Sequence, residues 1–131
     1  MRTILLTALV LSAANIAYAD PKTDYLLYCR GCHLANGEGV PPEVPTLHDE
    51  LGKLAALPGG RDYLIRVPGV SQTPLDDEKL AAVLNWVMAE FNSAALPDNY
   101  KPFTAREVGK SRVNVLENPL EARAKILGDP I

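Results

Sequence analysis

Apolar residues recur at helical spacing most regularly between Asp76 and Asn92. The positions that share one face of a helix drawn over this stretch are Leu80, Val83, Leu84, Val87 and Phe91. Carboxylates occupy the first turn, where they interact favourably with the positive end of the helix dipole. The pattern therefore predicts an amphipathic helix over these residues, with its apolar face against a core.

Shorter helices are predicted before this one. Asp20-Pro21 suits a helix start, with aspartate as the N-cap and proline at the first helical position. Residues 36–46 are crowded with turn formers and should form a loop. A weak helical pattern covers residues 47–57, and another short helix is expected over residues 61–67, each ended by the prolines and glycines after it.

The last third of the chain is predicted to contain two more short helices. Thr104 and Glu107 have the spacing of a capping box, in which each side chain bonds the other residue's backbone N–H. Asn118 followed by proline begins a second helix, and Gly128 is placed to end it. No strand-like alternation of useful length occurs, so the predicted fold class is all-α.

The first nineteen residues have the pattern of a secretory signal peptide. Arg2 precedes a largely apolar run from Ile4 to Ile16, and Ala17-Tyr18-Ala19 has the small-x-small form of a cleavage site. Because the run is shorter than the roughly 20 residues of a membrane span, cleavage is favoured over an uncleaved anchor. We therefore expect a periplasmic protein with no membrane span after cleavage.

Composition and charge narrow the possible functions only slightly. The formal net charge is −3, and no run of lysine or arginine suggests a nucleic-acid partner. The chain without its signal segment has the usual length of one domain.

The strongest chemical signal is the pentapeptide Cys29-Arg30-Gly31-Cys32-His33, which contains both cysteines of the chain. Two thiols about one helical turn apart can add to the two vinyl groups of a haem. A histidine directly after the second can bind the haem iron. The motif therefore predicts a covalently attached haem c.

Three other interpretations of these residues are weaker. A thioredoxin-like dithiol follows a strand in a βαβ pattern, and no such strand precedes Cys29. A zinc site needs four ligands, and the soft candidates are only the two cysteines, His33 and His48; because His33 adjoins Cys32, the two cannot easily bind one metal ion together. A disulfide between the cysteines would close a very short loop and contribute little stability.

Over residues 20–92 the chain resembles the monohaem class I cytochromes c. The shared features, in the order of that family, are a helix running into the Cys29–His33 motif, the Gly37-x-Gly39 loop, Pro45-Thr46-Leu47 and the amphipathic helix. The resemblance implies cytochrome c-like helices packed around one covalently bound haem.

The resemblance also implies roles for individual residues. Cys29 and Cys32 would form the thioether bonds, and His33 would be the proximal iron ligand. A loop proline would support that histidine through its carbonyl group; Pro45 matches this position, with Pro42 as the alternative.

The predicted organisation has three parts. Residues 1–19 form the signal peptide and residues 20–92 the haem domain. Residues 93–131 form a C-terminal helical extension that packs on the haem domain or on a partner. Arg61 and Arg66 are candidates for binding a haem propionate, with a solvated surface position as the alternative.

The sixth iron ligand is where the chain departs from the family. Residues 66–74, where the resemblance places a methionine, contain neither methionine nor histidine, and Val67-Pro68 occupies the expected Met-Pro position. Met88 and His48 are candidates, but Met88 fits a core filler and His48 a surface residue. An unusual ligand such as Gln72, a water molecule or an unfilled position remains open.

The predicted function is single-electron transfer by a periplasmic c-type cytochrome rather than catalysis. The expected partners are redox proteins: a periplasmic dehydrogenase as donor, and an oxidase or another cytochrome as acceptor. A haem subunit bound permanently to a larger dehydrogenase is a second hypothesis. The alternative is an open-site haem protein that senses a diatomic gas or reacts with peroxide, for which catalysis needs a distal acid–base group.

Overall fold

This computed structural model describes residues 20–128. Within them, helices are the only regular secondary structure longer than an isolated bridge. They are α1 (Pro21–Tyr28), α2 (Arg30–His33), α3 (Glu50–Ala56), α4 (Gly60–Arg66), α5 (Pro68–Ser71), α6 (Asp77–Asn92), α7 (Ala105–Ser111) and α8 (Pro119–Leu127). An isolated antiparallel bridge joins Val40 and Val44. The all-α prediction is therefore confirmed.

The predicted signal peptide, residues 1–19, lies outside the described residues. Within residues 20–128, no helix combines the length and the apolar character needed to cross a membrane.

Side-chain caps set the starts of the three helices that the sequence located best. The side-chain oxygens of Asp76, Thr104 and Asn118 each accept a hydrogen bond from the backbone N–H three residues on, at 2.8, 3.2 and 3.3 Å. Each bond satisfies an N–H group that the helix itself leaves free. Gly128 ends α8 with a φ of 75°, as predicted from its position.

Two helices differ from the sequence prediction. The pattern predicts a helix from residue 47, whereas α3 begins at Glu50 because Asp49 adopts a left-handed φ of 54°. Pro68 is predicted to end a helix, but it also begins the four-residue α5 with Val67 as its N-cap. Proline suits this first position because the N–H that it lacks would have no partner there.

Helices α1 and α6 cross through an aromatic cluster. The ring centroid of Tyr25 lies 5.1 Å from that of Trp86 and 5.6 Å from that of Phe91. The fully buried Tyr25 donates its hydroxyl hydrogen to the Leu34 carbonyl at 2.6 Å, just after α2. Gly37 lies against the Phe91 ring with a φ of 79°, where a side chain would be both strained and crowded. The crossing thus ties the segment around α2 to α6.

A buried asparagine joins the end of α6 to the segment before and within α3. Asn92 accepts a hydrogen bond from the Gly52 N–H at 3.1 Å and donates one to the Leu47 carbonyl at 2.9 Å. Its side-chain amide is therefore paired although the residue is fully buried, which avoids the cost of an unsatisfied polar group.

The chain after α6 turns back and packs on the preceding helices. Asn85 of α6 donates to the Phe103 carbonyl at 2.9 Å and accepts from the Phe103 N–H at 2.7 Å. Phe103 and Val108 are buried in the same core as α6. Helix α7 packs on α6 and α4, and α8 packs on α4.

Arg112, at the end of α7, binds the loop between α5 and α6. Its guanidinium group donates hydrogen bonds to the carbonyls of Ser71, Thr73 and Leu75 at 3.1, 2.7 and 2.8 Å. It also forms an ion pair with Asp77 at 3.1 Å. One side chain therefore holds the last residue of α5 and two positions of the loop that follows it.

Candidate haem site

A largely apolar cavity lies at the centre of the helices, with an empty volume of about 850 Å³ when its open mouth is included. Its aliphatic lining includes Leu51, Leu54, Leu64, Leu80, Val83 and Leu84. The cavity is suited to a large apolar group such as a porphyrin.

The pentapeptide lies at this cavity as one helical turn. Cys29 caps the end of α1 and begins α2, and its carbonyl accepts hydrogen bonds from the N–H groups of Cys32 and His33 at 3.2 and 3.0 Å. Cys29 and His33 line the cavity, whereas Cys32 is exposed beside them. The local helix thus keeps the three side chains that the motif predicts within one turn.

The cysteine geometry disfavours the other interpretations of the motif. The two thiols are free rather than joined in a disulfide. Burial raises the pKa of the Cys29 thiol to about 11, with further contributions from Cys32 and Asp24, which disfavours the low-pKa thiolate of a redox dithiol. Among residues 20–128, no group of three or more His, Cys, Asp or Glu side chains is placed to hold a metal ion, which disfavours the zinc site.

The His33 imidazole has the properties of an iron ligand. Removal from water lowers its pKa, which favours the neutral ring that binds metals. The Pro45 backbone carbonyl acts in the opposite direction and raises the pKa. Nδ1 is nevertheless buried with no partner in hydrogen-bond geometry, so this carbonyl lies near the ring without bonding Nδ1. A neutral imidazole at the wall of an apolar cavity suits a haem iron held there.

The loop after α2 places Pro45, and not Pro42, in the cavity wall. Pro45 lines the cavity, while Pro42 is exposed and borders a separate surface cleft. The N–H of Gly39 donates to the His33 carbonyl at 3.1 Å, which folds the loop back over α2. Gly39 has a φ of 68°, and a Cβ there would meet the carbonyls of Val44 and Pro45. This residue must be glycine for the loop to approach His33 so closely.

Of the predicted candidates for the sixth iron ligand, only Met88 lies in the cavity wall. Gln72 is exposed and outside the wall. His48 is also exposed; its ring packs against Phe91 at 5.0 Å between centroids, and its Nε2 lies 2.5 Å from the Asn36 carbonyl oxygen. The structure therefore places His48 and Gln72 away from the site.

The two arginines predicted to bind a propionate have other partners. Arg61 pairs with Glu107 at 2.7 Å, and Arg66 pairs with Asp62 at 2.9 Å. Neither lines the cavity.

A cation that the sequence did not indicate, Arg123 of α8, does line it, and its guanidinium pairs with Glu50 of α3. A guanidinium group at the wall of an apolar cavity suits a haem propionate. No local pattern could indicate it, because only the packing of α8 brings Arg123 there.

Replacing Met88 with leucine is expected to leave the absorption spectrum of the haem nearly unchanged. Met88 is buried on the apolar face of α6, and a swap between methionine and leucine usually costs less than about 1.5 kcal/mol. Absorption spectra of the oxidised and reduced variant test this. A change from low-spin to high-spin iron would instead identify Met88 as the ligand.

Comparison with known proteins supports the haem assignment. No protein-family model matches the chain. A cytochrome c-552 from Thermus thermophilus is 36% identical over 134 residues, covering 88% of this chain and 90% of the relative. A second cytochrome c-552 from Thermus thermophilus is 38% identical over 106 residues, covering 67% of this chain and 81% of the relative. The alignment covers 88% of the chain, which is more than the stretch of residues 20–92, so the similarity reaches beyond that stretch.

Proposed function

We propose that this chain, which belongs to the monohaem c-type cytochromes related to cytochrome c-552, shuttles electrons between proteins of the periplasm. As a cytochrome c it carries a covalently bound haem and transfers electrons. The observation that carries the finer proposal is the apolar cavity whose wall contains both Cys29 and His33. Enclosure by aliphatic side chains suits an iron that changes its charge by one electron without reacting with water.

Within this proposal, each residue of the motif has one task. Cys29 and Cys32 hold the haem through thioether bonds, and His33 binds the iron as the proximal ligand. Pro45 limits the movement of the His33 ring from the adjoining loop. The bound haem supplies the one-electron chemistry, while the surrounding helices exclude water and set its orientation.

The cavity wall supports a carrier rather than an enzyme. Among the described residues that line it, His33 is the only histidine, and no aspartate or glutamate is present. Peroxide or substrate chemistry needs a positioned group that can give and take a proton near neutral pH. With His33 assigned to the iron, no such group remains in the wall.

We further propose that residues 1–19 are removed on export, that residues 20–92 form the haem domain, and that residues 93–131 form an extension belonging to the same unit. Cytochromes c exchange electrons with redox proteins. Exposed apolar side chains beside the motif, Leu27, Tyr28 and Leu34, support docking of such proteins near the haem edge. The proposed donor is a periplasmic dehydrogenase, and the proposed acceptor is an oxidase or another cytochrome.

Potentiometric titration of the purified holoprotein tests the carrier role. We expect one reversible one-electron transition, and re-oxidation of the reduced protein by a membrane fraction that contains a cytochrome c oxidase. The same titration on Cys29→Ala/Cys32→Ala protein provides the control without covalent haem. Rapid peroxide consumption without electron exchange with the membrane fraction would contradict the proposal.

A further inference from the structure

The segment between α4 and α6 supplies one wall of the cavity with side chains that do not bind iron. Val67, Val70 and Thr73 face the cavity from this segment. Two of them are aliphatic, and the third has a neutral hydroxyl group. Arg112 fixes the segment through the carbonyls of Ser71 and Thr73, so the observed arrangement is held from outside the wall.

His33 and this wall belong to different packing groups. Helix α2, which bears His33, packs on α1, whereas α5 packs on α4, and α4 packs on α3, α7 and α8. The cavity wall therefore has one part carried by the motif on α2 and another carried by α4 and α5. Met88 also lines the cavity, from α6, and the spectrum of the Met88→Leu protein tests whether its thioether binds the iron.

The phenols of the wall are also poor iron ligands. Tyr25 already donates its hydroxyl hydrogen to the Leu34 carbonyl at 2.6 Å. Burial raises the pKa of Tyr63 on α4, which keeps its phenol protonated near neutral pH. The cation of the wall, Arg123, is paired with Glu50. The wall thus offers a neutral and mostly aliphatic surface to any sixth ligand.

We propose that the sixth iron position, beside Val67 and Val70, takes a small uncharged diatomic ligand, carbon monoxide or nitric oxide, in place of a side chain. A neutral diatomic molecule loses little hydration on entering an aliphatic wall, whereas a charged ligand would lose much. Peroxide cleavage needs a group that both gives and takes a proton near neutral pH, and apart from His33 this wall lacks one. The inference rests on the proposed function, because it requires the haem to be held by His33.

Gas titration of the reduced holoprotein tests the inference directly. Carbon monoxide and nitric oxide are added in separate titrations, followed by absorption and, for nitric oxide, electron paramagnetic resonance spectra. We expect each gas to bind with one molecule per haem, and peroxide to be consumed no faster than by free haem.

A new methionine in the wall is expected to close the site. In Val70→Met and Val67→Met proteins, the thioether can bind the iron, so at least one should show a low-spin spectrum. That variant should lose at least about tenfold in carbon monoxide affinity, which corresponds to about 1.4 kcal/mol. Val113→Met, at an exposed site after α7, is the matched control and should bind the gas like the parent.

Three results would overturn the inference. The first is a reduced parent protein that stays low-spin and does not bind either gas. The second is unchanged affinity in both wall variants, which would place the ligand elsewhere. The third is fast peroxide turnover. A protein that binds no gas but still shows the one-electron transition would overturn this inference alone and leave the electron-transfer proposal intact.

Discussion

Replacing Cys29 and Cys32 together with alanine is expected to abolish covalent haem attachment completely. They are the only cysteines of the chain, so no other thiol can form a thioether bond. His33 would still be able to bind iron, but a coordination bond to an imidazole does not survive acid and acetone as a thioether does. The measurement is extraction with acidified acetone followed by absorption of the protein pellet and of the supernatant.

The single variants provide matched controls for this experiment. Cys29→Ala and Cys32→Ala each leave one thiol, so haem that becomes attached should stay with the pellet. The two sites also differ, because Cys29 lines the cavity and Cys32 is exposed. Haem that remains in the pellet of the double variant would show that these cysteines are not the attachment site.

Replacing Arg112 with methionine is expected to destabilise the folded holoprotein by about 2–4 kcal/mol. The Arg112 side chain is only 15% exposed, and its guanidinium group donates hydrogen bonds to three carbonyls and to Asp77. Methionine retains much of the apolar volume but leaves these acceptors without a donor. Each buried unsatisfied group costs about 1–3 kcal/mol, and partial access to water reduces the sum. Denaturant unfolding followed by circular dichroism measures the change in free energy.

Arg106→Met is the control for the loss of one positive charge on the same helix. Arg106 is exposed on α7, and surface substitutions of this kind usually change stability by less than about 0.5 kcal/mol. Arg112→Lys keeps the charge but not the planar fork that reaches several carbonyls, so it should fall between the parent and Arg112→Met. Equal stability of the Arg112→Met and Arg106→Met proteins would show that the loop does not depend on this side chain.

Features that depend on neighbours in the chain could be predicted from the sequence. The haem motif, Cys29–His33, is complete within one helical turn, and its chemistry follows from that spacing. The start of α6 at the Asp76 cap follows from a bond that spans three residues. The apolar face of α6 repeats with the helical period, and the core indeed contains its members.

Local patterns were less informative where a helix boundary depends on the backbone of one residue. The apolar pattern before α3 continues through residues 47–49, but the left-handed Asp49 delays the helix to Glu50. Pro68 follows one helix and starts another, and both roles are compatible with proline. The sequence indicated a break at Pro68 without determining that a further helical turn begins there.

The haem motif, the all-α class and the lack of a methionine in residues 66–74 were determined by the sequence alone. Only the tertiary structure decided which side chains meet at the cavity. It placed Pro45 and Arg123 of α8 in the cavity wall. It placed Pro42, His48 and Gln72 outside that wall. The reason is physical: the features that the sequence determined depend on bonds and helical periods within a few residues. The composition of the cavity wall depends on contacts such as that of Arg112 with Ser71, across 41 positions, which form only when the core packs.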